Sequence, residues 1–130
     1  MSATDRNRGA SGDVAAAISD AMASLLSRVT GRGATSSRTT FGRDLIVCVM
    51  GNALTAGEKA LVETGRTDAV LSIRKAYQET IEQEAITVIE DLSGRRVAAF
   101  MSTNHIDPDL AVEIFVLHHA DGREPTDALG

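Results

Sequence analysis

From Thr67 to Leu92 the chain runs without a glycine or a proline. Its apolar residues recur at helical spacing: Val70, Ile73, Tyr77, Ile81, Ala85, Val88, Ile89 and Leu92. Lys75, Glu79, Glu82 and Glu90 fall mostly off that stripe. The pattern demands one long amphipathic helix, ending before Gly94, where a glycine can take the positive φ of a helix stop. At 1.5 Å per residue such a helix reaches roughly 35–40 Å. With 130 residues the chain makes a single domain, so everything else has to be laid against this helix.

Upstream, Val14, Ile18, Met22, Leu25 and Val29 form a second helical stripe, with Ser11 or Asp13 as cap and Gly31 as stop. Residues 31–37 are Gly- and Ser/Thr-rich and read as a loop. Arg38–Phe41 reads as a short strand, followed by a turn at Gly42-Arg43-Asp44. Leu45–Met50 is apolar throughout and rich in β-branched residues, the pattern of a central strand covered on both faces. Thr55 and Glu58 form a capping box for a short helix ending at Gly65. After the long helix come strands at Val97–Met101 and Leu110–Leu117, joined through a loop containing Asp107-Pro108-Asp109. The last strand alternates, placing Leu110, Val112, Ile114 and Val116 on one face and Glu113 among the residues on the other. The expected fold is therefore α+β, in the order α-ββ-αα-ββ, with a mostly antiparallel four-stranded sheet packed against the long helix. Residues 1–12 read as a flexible N-terminal arm, 13–118 as the domain and 119–130 as a flexible C-terminal tail.

Composition excludes several functions. A net charge of −5 and 3% aromatic residues disfavour nucleic-acid binding, which needs a positive surface or stacking platforms. One cysteine, Cys48, allows neither an internal disulfide nor a cysteine-based zinc site. No apolar run approaches the ~20 residues that span a bilayer, and the N-terminus lacks the apolar core of a signal peptide. A soluble, cytoplasmic protein without direct membrane insertion is expected. Charge is unevenly spread: residues 1–43 carry six Arg against three Asp, while the remainder is strongly acidic. The basic part is thus suited to meet the acidic part, within or between chains.

Four stretches carry a resemblance: Gly51-Asn52-Ala53-Leu54-Thr55-Ala56-Gly57-Glu58-Lys59-Ala60-Leu61, the region of Arg74, Ser93-Gly94-Arg95-Arg96-Val97, and Ala111 to Leu117. Together they resemble the small domain family named for the MpsC component of a sodium-translocating, membrane-potential-generating system. The likeness runs from about Asp13 to Leu117. That family usually has a Gly-Lys-Gly-Pro-like loop after its first helix; Gly31-Arg32-Gly33-Ala34 keeps the charge and both glycines and loses the proline. The resemblance implies an accessory role beside a cation-coupled or inorganic-carbon (bicarbonate) uptake system. It supplies no catalytic residues.

The side chains offer little catalytic chemistry. His118 and His119 are adjacent, so on a strand they point to opposite faces. His105, Asp107 and Asp109 share a loop whose composition is also ordinary turn chemistry. Glu79 and Glu82 share a helical face that reads as solvated, and Cys48 reads as a small core residue. Neither phosphate-binding nor dinucleotide motifs occur, so an enzyme, a metal or a cofactor is not expected. The remaining site candidate is basic. Arg28, Arg32, Arg38 and Arg43 bracket the Gly- and Ser/Thr-rich loop, and guanidinium forks with exposed amides suit carboxylate, bicarbonate or phosphate.

Two functions follow. The first is a non-catalytic accessory or regulatory protein of a membrane transport system, lying at the inner face of the membrane through a transporter subunit. The alternative is a small-anion or nucleotide sensor using the Arg-rich loop. A homodimer is expected as well. Strands of five to eight residues cover only ~17–27 Å, leaving about two turns of the long helix's stripe uncovered, around Ala85, Val88, Ile89 and Leu92 or at the Val70 end. The Ala-rich first helix offers a matching surface.

Overall fold

The computed structural model describes residues 3–32, 34 and 36–127, and of residues 3–11 the backbone course. The elements follow the expected order: α1 (Ala3–Thr30), β1 (Ser36–Gly42), β2 (Leu45–Gly51), α2 (Ala56–Glu63), α3 (Thr67–Ser93), β3 (Val97–His105) and β4 (Leu110–Leu117). The two hairpins lie side by side in one antiparallel sheet of order β1-β2-β4-β3. The fold is α+β, with α1 and α3 on one face of the sheet and α2 against α3.

Local signals explain most boundaries. Thr55 Oγ1 accepts from Glu58 N at 3.1 Å, and a Glu58 carboxylate oxygen accepts from Thr55 N at 2.8 Å, completing the capping box of α2. Gly94 closes α3 at φ 69°, and its N–H donates to the Glu90 carbonyl. α1 starts at Ala3 rather than at Val14, so Ser11 and Asp13 lie inside a helix already under way. Extending a formed helix adds one hydrogen bond per ordered residue, whereas starting one is costly. The C-terminal segment also differs from a free tail: His119 Nδ1 lies 2.9 Å from Asp44, and its Nε2 lies 3.0 Å from the Asp127 carbonyl. The remainder of that expected tail, 128–130, and residues 1–2 of the expected arm lie outside the described residues.

The core fills the space between helices and sheet. Ile18, Met22 and Leu26 of α1 meet Ile81, Ala85 and Ile89 of α3 and Ile46, Cys48, Met50 and Phe115 of the sheet, all fully buried. Ser19 Oγ and Thr39 Oγ1, 2.8 Å apart, tie α1 to β1.

Two sequence readings need correction here. α1 covers the Ala85–Ile89 stretch of α3, and Val70 at the other end is fully buried where α2 folds against α3. Of the surface on which the dimer expectation rested, Leu92 is left 37% exposed and Val88 is half-buried against the core. The expectation measured α3 against the strands and left out the length of α1. Secondly, β2 is central in the sheet but covered on one face only. Ile46, Cys48 and Met50 face the helices, while Leu45, Val47 and Val49 alternate outward and stay partly or largely exposed. β4 follows suit: the face bearing Glu113 is the buried one, and Val112, Ile114 and Val116 lie on the outer face.

Candidate functional site

The four arginines of the expected anion site do not converge. Arg28, in the last turn of α1, reaches sideways to Glu84 of α3 at 2.6 Å, with both side chains more than half exposed. Arg32 donates from Nε and Nη2 to the Asn52 carbonyl, at 3.3 and 3.2 Å, fastening the loop after α1 to the end of β2. Arg38 sits within β1 opposite Val49, whereas Arg43 lies in the β1–β2 turn beyond the Gly42–Leu45 pair. Five steps along the extended chain set those two about 16 Å apart. Gly33 and Thr35 of the same loop lie outside the described residues.

Charge gathers instead at the end of the sheet where Arg43 stands, around its neighbour Asp44. Arg95 Nη2 donates to Asp44 at 2.6 Å and to the His118 carbonyl at 2.7 Å, while His119 holds the other Asp44 oxygen. These partners hold the Asp44 carboxyl below its ordinary range, with the Arg95 hydrogen bond foremost. A cleft of about 540 Å³ opens beside Arg95, Arg96, His118 and His119. It is lined by Glu124 as well, so its field is mixed in sign. The loop of His105, Asp107 and Asp109 serves the fold: His105 Nδ1 meets the Pro108 carbonyl at 2.9 Å, and Asp109 accepts from Leu54 N at 2.9 Å. Among the described residues no three His, Cys, Asp or Glu side chains are placed to hold a metal.

Sequence reasoning missed two buried polar groups. Arg74, 1% exposed, lies inside the domain with Nε 2.9 Å from a carboxylate oxygen of Glu58, which is 5% exposed. The contact is an ion pair by distance whose N–H is not aligned for a hydrogen bond. Arg74 Nη2 donates to the Ala53 carbonyl, so one guanidinium joins α3, α2 and the segment that links β2 to α2. The second group is centred on Glu113, which is wholly buried. Ser102 Oγ donates to one carboxylate oxygen and Gln78 Nε2 to the other, the latter at 3.1 Å. Gln78 in turn exchanges hydrogen bonds with Asn104. Burial pushes the Glu113 carboxyl up to about 7, against the downward pull of the Ser102 and Gln78 hydrogen bonds. Ser102 and Gln78 also line a cavity of about 120 Å³, below the ~300–1,000 Å³ of ordinary small-molecule sites. The sequence signal for Arg74, Glu58 and Glu113 was their place in the family-like stretches, and Glu113 also had its position in the alternation of β4.

The most extensive feature is the outer sheet face. Strand pairing lays its residues in rows: Ser36, Gly51, Leu110 and His105; Arg38, Val49, Val112 and Thr103; Thr40, Val47, Ile114 and Met101; Gly42, Leu45, Val116 and Ala99. The two central strands contribute only aliphatic side chains to these rows. Met101 is 50% exposed and Leu45 38%. No carboxylate stands in the rows, and Arg38 is at the β1 edge. Monomeric surfaces seldom leave a contiguous apolar patch of this kind without a use.

Compared with known proteins, the chain matches the family model described as Na+-translocating membrane potential-generating system (MpsC) over residues 10–119. No curated protein and no solved structure matches it.

Proposed function

The chain belongs to the MpsC family, and on that premise we propose that it is a non-catalytic accessory or regulatory protein of a Na+-translocating, membrane-potential-generating system, working through its outer sheet face. That face carries the proposal: an aliphatic surface across both central strands, uncovered in the single chain, is built to be covered by protein. No helix among the described residues is long and apolar enough to cross a membrane, so attachment at the inner face of the membrane is proposed to run through a partner subunit. The buried Arg74–Glu58 and Glu113 groups fit a scaffold role, because they tie elements together and the cavity beside Gln78 and Ser102 measures only about 120 Å³. A homodimer is part of this proposal, and it needs a surface other than the end of α3. Among the described residues Arg28, Arg32, Arg38 and Arg43 are not gathered into one site for small-anion sensing.

The test is affinity capture from native membranes with the wild-type chain and with Val112→Lys, which puts a charge on the outer face and leaves the core untouched. The wild type should retain an integral component of a cation-transport system and the variant should lose it. Equal capture by a folded Val112→Lys protein would remove the outer face from the function.

A further inference from the structure

We propose that the outer sheet face pairs with the same face of a second copy of this chain, as a two-fold sheet-on-sheet dimer. This rests on the reading of that face as the working surface and names its occupant: the face pairs two copies, and the membrane component is held by the dimer so formed, which a charge on the face breaks up. Shape is the first argument. Four strands at the usual spacing make the face about 19 Å wide and about 25 Å long. One helix, about 10 Å across with its side chains, covers half of it. A second sheet of the same width covers it whole.

Symmetry is the second. The rows pair Val49 with Val112, Val47 with Ile114 and Leu45 with Val116 across the β2–β4 junction. A two-fold axis lying in the interface along that junction sets β2 of one copy over β4 of the other. Each of these six aliphatic side chains then meets an aliphatic one, while Met101 of β3 meets Thr40 of the other copy's β1. The same operation sets β1 over β3, so Arg38 falls near the polar Thr103 position at the margin, where its guanidinium reaches water. No like charges are forced together, and stacked sheets with β-branched inner faces pack at about 10 Å.

Area is the third. The planar extent is about 500 Å² per copy and about 1,000 Å² in total, at the lower bound for a specific protein interface. The dimer is therefore expected to depend on concentration rather than to be permanent.

Light scattering and sedimentation over about 1–300 μM test this. The wild type should move from 13.7 kDa toward twice that mass as concentration rises. Ile114→Lys sits in the middle of the face and should weaken association at least about 100-fold, because two ammonium groups would be desolvated in each dimer. Its circular dichroism and melting should show a folded chain, since residue 114 points away from the core. Leu71→Lys, on the exposed side of α3, should associate as the wild type does and serves as the control. A wild type that stays monomeric throughout overturns the dimer, as does a dimer indifferent to Ile114→Lys. Membrane capture separates the two proposals: a monomeric wild type whose capture is lost in Val112→Lys sinks the dimer and leaves the accessory reading standing. A face-dependent dimer that captures no membrane component does the reverse.

Discussion

Glu113 concentrates the residue-scale consequences. Its carboxyl is shifted from 4.5 up to about 7 by burial. The folded chain therefore holds a proton that the unfolded chain releases between about pH 4.5 and about 7, and stability falls as pH rises through that window. The full shift corresponds to ~3 kcal/mol. Glu113→Gln keeps an acceptor oxygen for Gln78 Nε2, offers an amide N–H to the Ser102 hydroxyl in place of the second acceptor, and removes the charge. Urea unfolding should show the variant more stable than the wild type by about 1–3 kcal/mol at pH 8, and close to it near pH 4.5. Parallel pH profiles for the two proteins would rule the buried charge out as the cause. Arg74 acts with the opposite sign. Arg74→Ala strands the Glu58 carboxylate at 5% exposure and should cost about 3–5 kcal/mol. Replacing Arg74 with Met and Glu58 with Leu together should recover most of that loss, because no charge is left unpaired in the core.

Among the elements, the short helix α2 and the end of α3 depend most plainly on single residues. α2 is eight residues long, too short to form alone, and its capping box satisfies backbone groups at its start. Thr55→Ala should lower stability by about 1 kcal/mol. Gly94 stands at φ 69°, where a Cβ would crowd the following carbonyl, so Gly94→Ala should cost about 1 kcal/mol as well. Both losses should appear as a lower denaturation midpoint at unchanged slope. A changed slope would mean that more than a helix end was altered. Element boundaries were largely legible beforehand because caps and stops act locally: Thr55, Glu58, Gly65 and Gly94 all work within a turn of the helix they bound. The start of α1 was not, because Ser11 and Asp13 resemble caps wherever they stand, and only the rest of the helix shows whether a turn precedes them.

Across the whole molecule, the uneven charge has little to hold on to. Between the basic first third and the acidic remainder, Arg28–Glu84 is the one ion pair among the described residues, and both its side chains are more than half exposed. Such a pair contributes at most about 1 kcal/mol and is screened by salt. Raising NaCl from about 50 to about 500 mM should therefore change unfolding stability by less than about 1 kcal/mol. A loss of several kcal/mol would show that the charge asymmetry does hold the fold together. The domain rests instead on apolar contact between α1, α3 and one sheet face.

Helical spacing in α1 and α3, the capping box, the alternation in β4 and the short apolar runs bounded by turns are local patterns, and together they were sufficient to order seven elements correctly. Alternation also divided β4 into two faces, but it is indifferent to which of them meets the helices. That choice depends on partners far along the chain: Ser102 and Gln78, 11 and 35 residues from Glu113, supply the hydrogen bonds that let a carboxyl enter the core. Hydrophobicity alone sends Val112, Ile114 and Val116 inward and Glu113 outward; the fold does the reverse. The four arginines follow the same logic. They are neighbours in the sequence around one loop, but a strand rises about 3.3 Å per residue and carries Arg43 away from Arg38 to the far end of the sheet, while Arg28 turns to α3. Short-range spacing sets what each segment becomes. Where its side chains end up is settled by pairing across distances that no local pattern records.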